Sequence, residues 1–128
     1  MDLQLENKVA LVTAASRGLG YATAMAMAQE GAKVVLCSRT QADIEAAAAT
    51  ISDETGREVL PKAADVTLPE DIEALVDAAI DRFGRIDALF INAGGPPPGG
   101  FLDLQPDDWE AAANLTVQSA VNLAYAVV

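Results

Sequence analysis

The stretch "LVTAASRGLGYA", residues 11–22, joins a short apolar run to a turn that contains two glycines. The run Lys8–Ala14 is typical of a buried parallel strand. Gly18 and Gly20 lead into a segment rich in alanine and methionine, for which we expect a helix over Leu19–Glu30. A glycine turn between a strand and a helix directs backbone N–H groups and the positive end of the helix dipole at one point, which suits a pyrophosphate.

Strands and helices continue to alternate along the rest of the chain. The pattern predicts a strand over Ala32–Ser38, a helix over Gln41–Thr55, a strand over Glu58–Asp65, a helix from Pro69 through Phe83, a strand with its exit turn over Arg85–Gly95, and a largely helical run from Pro106. Pro61 favours either an irregularity in the third strand or an edge position for it, and Thr67 and Glu70 have the spacing of a capping box. We therefore expect an α/β fold, a Rossmann-type doubly wound parallel sheet in the order β-α-β-α-β-α-β-α, forming one dinucleotide-binding domain over residues 1–128.

Composition excludes several classes of function. Eight basic and nineteen acidic residues give a formal net charge of −11, which disfavours nucleic acid and acidic membranes as partners. One cysteine rules out an internal disulfide, and the lack of histidine removes the commonest metal ligand and general base, so we expect no metal site. No apolar run reaches the roughly 18 residues of a membrane span, and the start of the sequence has no signal-peptide pattern, so we expect a cytoplasmic protein.

Five short motifs give the chain a family resemblance. The segments "TAASRGLG", "CSRT", "ADVT", "NAGG" and "NLT" follow one another at spacings that resemble the short-chain dehydrogenase/reductase family over essentially the whole chain. The family's loop reads Thr-Gly-x-x-x-Gly-x-Gly, whereas this chain has Ala14 after Thr13 where the first glycine belongs. An alanine there costs only a methyl group if its φ stays negative. We expect a shifted or tighter loop, with the site retained and cofactor affinity altered.

The resemblance implies a nicotinamide dinucleotide on this loop, with binding residues Thr13, Ser16, Arg17, Gly18, Leu19 and Gly20. Dinucleotide folds commonly place an acidic residue about twenty positions further on, against the adenosine ribose 2′-hydroxyl. This chain has Ser38 and Arg39 in that region instead. With no carboxylate to repel it, a 2′-phosphate is expected between Arg39 and Arg17, which predicts NADP(H) over NAD(H). The alternative is that both arginines are solvated surface charges.

Two further groups resemble cofactor-binding residues of the family. Asp65 and Val66 correspond to the residues beside the adenine, although Asp65 also fits a helix-entry acid near Thr67. The family's Asn-Ala-Gly turn, which lies along the cofactor after the fourth strand, is matched by Asn92, Ala93 and Gly94. An ordinary Asn-x-Gly turn is the alternative here. The Pro97–Gly99 segment that follows is interpreted as a stiff surface turn, with a place at the border of the substrate side as its alternative.

The chemistry of the family is only partly represented. Asn114 resembles the helix asparagine that holds a water in the family's proton relay, while a structural hydrogen bond is its alternative role. The family's acid–base tyrosine lies in a Tyr-x-x-x-Lys motif, and neither Tyr21 nor Tyr125 has a lysine four residues later. We therefore expect the cofactor-binding half of a longer enzyme, interrupted before the catalytic segment and inactive alone.

The resemblance implies an NADP(H)-dependent oxidoreductase that interconverts a ketone, such as a 3-oxoacyl group, and an alcohol. Its partners would be a small-molecule carbonyl or alcohol substrate and further copies of itself, because the last helix is apolar on both sides and commonly forms a dimer or tetramer interface in the family. A non-catalytic dinucleotide-binding sensor or interaction module is the rival hypothesis. A truncated product without independent function is the third.

Overall fold

The computed structural model describes all of residues 1–128 as one parallel sheet with helices on both faces. The strands are β1 Val9–Val12, β2 Lys33–Ser38, β3 Val59–Ala63 and β4 Ala88–Phe90. The helices are α1 Gly18–Gln29, α2 Gln41–Thr55, α3 Pro69–Phe83, α4 Pro106–Ala113 and α5 Ser119–Val127. The strand order is β3-β2-β1-β4 with every pair parallel, which confirms the predicted Rossmann-type fold.

Alternate residues of the central strands build two apolar cores. Val34 and Leu36 face a core shared with α1 and α2, while Val35 and Cys37 face a second core shared with α3 and α5. All four side chains are fully buried. The continuous apolar run of β2 is explained by this burial on both faces of the sheet.

The helix boundaries follow local signals with one exception. Pro69 is the first residue of α3, and Gly84 ends that helix in the left-handed conformation at φ +79°. The predicted capping box at Thr67 is wrong, because the N-cap residue is Leu68 and no side chain caps the helix. The hydroxyl of Thr67 instead donates a 2.6 Å hydrogen bond to Oδ1 of Asp65. Because the helix begins at Pro69, Glu70 is its second residue rather than the third that a capping box requires.

The predicted strands are longer than the observed ones. Only Ala88–Phe90 of the predicted fourth strand pairs with the sheet, and its sole neighbour there is Ala10–Val12 of β1. Pro61 lies opposite Leu36 in β3, which is an edge strand as expected. The predicted C-terminal helical run is divided by a π-helical turn over Asn114–Gln118.

The last helix has one covered side. Ser119 and Leu123 of α5 are buried, and Leu123 packs in the core beside α3. Val117, Val121 and Tyr125 remain 62%, 42% and 83% exposed. None of the helices has the length and apolar character that crossing a membrane requires.

The sheet reverses its winding direction between β1 and β4. The chain proceeds from β1 to β2 and β3 on one side, then returns to place β4 on the other side of β1. In open α/β sheets, ligands bind at the carboxyl ends of the strands at such a reversal. The fold therefore directs attention to the loops that follow Val12, Ser38, Ala63 and Phe90.

Candidate functional site

A cleft of about 1240 Å³ opens at the carboxyl ends of the strands. Every one of the four loops at this edge contributes to its wall. The predicted site residues that line it are Ser16, Arg17, Gly18, Leu19, Ser38, Arg39, Asp65, Val66, Asn92, Ala93 and Gly94. Thr13, Gly20 and Asn114 are the predicted site residues outside its lining.

Thr13 joins two loops of the cleft from beneath. Its Oγ1 donates to the carbonyl oxygen of Asn92 at 2.6 Å and accepts from the backbone N–H of Asn92 at 2.8 Å. Nδ2 of Asn92 also donates to the carbonyl oxygen of Ala14 at 3.3 Å. Thr13 is fully buried, so it positions the turns after β1 and β4 and has no surface with which to touch a ligand.

The two loop glycines are required for different reasons. Gly18 has φ +63° and open space around it, so its requirement is conformational. Gly20 is buried, and a Cβ on it would lie 2.3 Å from the carbonyl oxygen of Ala14. Gly20 therefore allows α1 to start in direct contact with the end of β1.

Ala14 does not have the negative φ for which we expected an alanine to cost little free energy at this position. Its φ is +48°, in the left-handed region, where an L-residue with a Cβ loses about 1–2 kcal/mol. Neighbouring bonds hold this conformation, since the N–H of Ala15 donates to the carbonyl oxygen of Cys37 at 3.0 Å and Asn92 binds the carbonyl of Ala14. The loop thus keeps the shape that a glycine would take, at a cost in backbone strain.

The cations predicted for a 2′-phosphate border the same end of the cleft. Arg17 is the N-cap residue of α1, Arg39 follows β2, and both are exposed. Neither takes part in any ion pair of the structure. Oγ of Ser38 donates to the carbonyl oxygen of Thr40 at 3.4 Å. Two arginines without an ion-pair partner therefore stand at a concave surface of an otherwise acidic protein.

The expectation that no carboxylate borders this end is wrong. Asp43, in the first turn of α2, and Asp65, after β3, both line the cleft. Sequence reasoning missed Asp43 because it sought an acid at the end of β2. The available signal was its place in the first turn of a helix that follows a parallel strand, which brings it to the carboxyl edge of the sheet.

Asp65 has the helix-entry role that was one of its two predicted alternatives. Its Oδ1 accepts from the backbone N–H of Thr67 at 2.9 Å as well as from the hydroxyl, so it stabilises the entry to α3. These hydrogen bonds to Thr67, aided by the charge of Arg39, hold the pKa of Asp65 below the usual range of an aspartate. Its contact with an adenine stays a prediction, as do the cofactor contacts of the other lining residues.

The other end of the cleft is mostly apolar, although Asp108 also lines it. Leu104, Trp109 and Leu115 line it, together with the Pro97–Gly99 segment that sequence analysis assigned to a surface turn. The indole of Trp109 lies against the ring of Phe101, with centroids 6.0 Å apart and planes tilted by 56°. This end has no cation in its wall.

Asn114 and Cys37 have less prominent places. Asn114 is exposed, makes no hydrogen bond through its side chain, and begins the π-helical turn that divides α4 from α5. Such turns often occur at functional sites, and the catalytic role of Asn114 stays a prediction.

Burial raises the pKa of the Cys37 thiol to about 11, so this residue is a neutral part of the core rather than a nucleophile. No cluster of three metal-ligating side chains is present.

Comparison with known proteins identifies relatives of about twice this length. A family model described as short chain dehydrogenase matches residues 8–128. An uncharacterized oxidoreductase of Listeria monocytogenes is 38% identical over 120 residues, which cover 94% of this chain and 48% of the relative. The chain thus spans about half the length of the curated relatives that it matches.

Solved structures show the same fold with nicotinamide cofactors of both kinds. L-Sorbose reductase from Gluconobacter frateurii, solved with NADPH and L-sorbose, has a TM-score of 0.95 at 35% identity, covering 99% of this chain and 48% of its own. An NAD+-bound xylitol dehydrogenase has a TM-score of 0.90 at 34% identity, covering 97% and 48%. The neighbours therefore agree on a nicotinamide cofactor and differ in which one they hold.

Proposed function

This chain belongs to the short-chain dehydrogenase family, and we propose that it is the cofactor-binding half of an NADP(H)-dependent oxidoreductase that interconverts a ketone and an alcohol. The observation that carries this proposal is the cleft at the reversal between β1 and β4, bordered by the glycine loop and by two arginines without ion-pair partners. When bound, the nicotinamide ring supplies or accepts the hydride.

The residues of the loop fit a dinucleotide pyrophosphate. The first amides of α1 have no acceptor within the helix, and Arg17 provides no side-chain cap that would occupy them. Gly18 has no side chain to cover this end of the helix. The space beside it is open, since no atom lies within 4 Å of the position that a Cβ would take. We assign the pyrophosphate to the amides after Ser16, where the positive end of the helix dipole favours an anion.

The remaining parts of the cofactor and the substrate are assigned to the two ends of the cleft. We assign the 2′-phosphate to Arg17 and Arg39, which offer charge-assisted hydrogen bonds. We assign the adenine to Asp65 and Val66. The cofactor then extends along the turn formed by Asn92, Ala93 and Gly94. The apolar end beside Trp109 then receives the carbonyl or alcohol substrate, for which a 3-oxoacyl group is one candidate.

Proton transfer is not assigned to these 128 residues. None of the three lysines lies four positions after a tyrosine, so the Tyr-x-x-x-Lys pair of the family is not among them. We assign to Asn114 the holding of a water in the proton relay, which is the family role of the matching residue.

Cofactor binding gives a direct test that needs no turnover. We expect Arg39→Ala to raise the dissociation constant of NADP+ by about tenfold or more, as loss of a charge-assisted hydrogen bond predicts, and to leave that of NAD+ nearly unchanged. Arg57→Ala is the matched control, since Arg57 pairs with Glu6 and lies outside the cleft. Titration calorimetry with both cofactors provides the measurement. An unchanged NADP+ to NAD+ ratio in Arg39→Ala contradicts the proposed preference.

Self-association is a further part of the proposal. The exposed apolar side chains Val117, Val121 and Tyr125 follow one another along the C-terminal helical segment, and burial of such a patch against a second copy favours a dimer or tetramer. Sedimentation velocity over a range of concentrations tests it. A purely monomeric species at all concentrations would oppose this assignment.

A further inference from the structure

One carboxylate stands among the charges assigned to the 2′-phosphate. Asp43 lies in the first turn of α2 and lines the main cleft together with Arg17 and Arg39. It also lines a smaller crevice of about 400 Å³ that it shares with Ser16, Arg17 and Tyr21. Asp43 is thus part of the wall between two concave surfaces, and Arg17 borders both of them.

The carboxylate of Asp43 has no direct partner in the protein. Asp43 is exposed, takes part in none of the ion pairs of the structure, and accepts no hydrogen bond through its carboxylate. The neighbouring acid Glu45 differs, because its Oε1 accepts from Nε2 of Gln41 at 2.6 Å and it lines neither concave surface. The charge of Asp43 therefore acts on whatever occupies the cleft.

We infer that Asp43 limits the preference of this protein for NADP(H), so that NAD(H) remains an effective second cofactor. This inference rests on the proposed function. NADP+ differs from NAD+ by a 2′-phosphate with up to two negative charges, whereas NAD+ has a neutral hydroxyl there. Both cofactors carry the pyrophosphate, so a carboxylate in the same wall repels NADP+ more strongly than NAD+ through the additional charge of the 2′-phosphate.

The size of the effect follows from exposed charges at short range. Charges within a Debye length of about 8 Å still interact at physiological salt. Repulsion between one carboxylate and a doubly charged phosphate at about this separation in a water-like dielectric weakens NADP+ binding by roughly two- to sixfold, the lower value including the screening by salt. The attraction from Arg17 and Arg39 exceeds it, so NADP(H) stays preferred by a narrowed margin.

The test compares NADP+ and NAD+ dissociation constants for the wild type, Asp43→Asn and Glu45→Gln by titration calorimetry. We expect Asp43→Asn to lower the NADP+ constant by about two- to sixfold and to change the NAD+ constant by a clearly smaller factor. Glu45→Gln removes the same charge from the same helix outside the cleft and should change neither constant. The gain in Asp43→Asn should shrink in 0.5 M salt, because screening weakens repulsion between exposed charges.

Each other outcome has a definite meaning. An unchanged NADP+ constant in Asp43→Asn, or an equal gain in Glu45→Gln, overturns the inference. Weaker NAD+ binding in Asp43→Asn also overturns it, since the carboxylate would then bind the ribose hydroxyls. A wild type that binds neither cofactor, or an Arg39→Ala variant with unchanged selectivity, refutes the proposed function instead, so the two failures are distinguishable.

Discussion

Replacing Gly20 by alanine should separate the steric role of this glycine from the conformational role of Gly18. A Cβ at position 20 lies 2.3 Å from the carbonyl oxygen of Ala14 and 3.0 Å from Cα of Ala15, both backbone atoms. Ordinary contact begins near 3.4 Å, so the end of β1 must retreat by about 1 Å. That end is held by the 3.0 Å bond from Ala15 to Cys37 and the 3.3 Å bond from Asn92 to Ala14.

The magnitude follows from these contacts. Overpacking against fixed atoms costs about 1–3 kcal/mol, and weakening the two hydrogen bonds adds about 1 kcal/mol each. The better helix propensity of alanine returns at most about 1 kcal/mol. We expect Gly20→Ala to lower the free energy of unfolding by about 3 kcal/mol, which corresponds to a fall in Tm of about 10 °C for a domain of this size.

Gly18→Ala, two residues earlier in the same loop, is the matched comparison. Its site is open, so only the left-handed conformation at φ +63° penalises the new side chain, by about 1–2 kcal/mol. The reduced entropy of the unfolded chain offsets about 0.4–1 kcal/mol of that penalty. The net loss should be about 1 kcal/mol, with a fall in Tm of about 4 °C.

Urea and thermal unfolding followed by circular dichroism measure both variants, and titration with NADP+ shows whether the loop still binds. Gly20→Ala should lose more stability than Gly18→Ala and should also bind NADP+ more weakly, because α1 can no longer start at the end of β1. If Gly20→Ala is as stable as Gly18→Ala or more so, the close approach to Ala14 does not constrain the loop and the reasoning fails.

Two other perturbations test the supports of the cleft. Thr13→Val leaves the backbone N–H and C=O of Asn92 without their partner and should lower the free energy of unfolding in urea by about 1–3 kcal/mol. Thr13→Ser keeps the hydroxyl and should lower that free energy by less. Equal losses in the two variants would show that the hydroxyl is unimportant. The pKa of Asp65 is lowered in the folded state by its hydrogen bonds from Thr67, so its contribution to stability is present above about pH 4 and is lost as the pH falls through the folded-state value. Asp65→Asn should therefore lose less unfolding free energy than the wild type does between about pH 5 and pH 2.5. The same pH dependence in both proteins over this range would contradict the prediction.

Much of the fold could be predicted because its signals are local. Apolar runs bounded by glycine and proline give the strands, and helix ends follow from Pro69 at the start of α3 and Gly84 at its end. The Thr67 cap failed because α3 begins one residue later than a capping box at Thr67 requires, with Leu68 as the N-cap residue. The length of the fourth strand could not be predicted, because it is set by which residues pair with β1.

The candidate site was predicted as a set of loops and less well as a set of contacts. Arg17 and Arg39 were expected to meet, and both do line one end of the cleft. Thr13 was assigned to the cofactor, yet it is fully buried and joins two turns instead. Whether a loop residue faces the cleft or the sheet depends on backbone geometry that its residue type does not specify.

The sequence by itself determined the order of strands and helices, the positions of the glycine loop and of the two arginines, and the family to which the motifs belong. These properties depend on near neighbours in the chain. Only the tertiary structure decided that Ala14 takes a left-handed φ of +48° and that Asp43 shares a wall with Arg17 and Arg39. The reason is physical, since both results depend on contacts between β1, β2, α2 and the turn after β4, and packing of the whole sheet sets those contacts rather than any local preference.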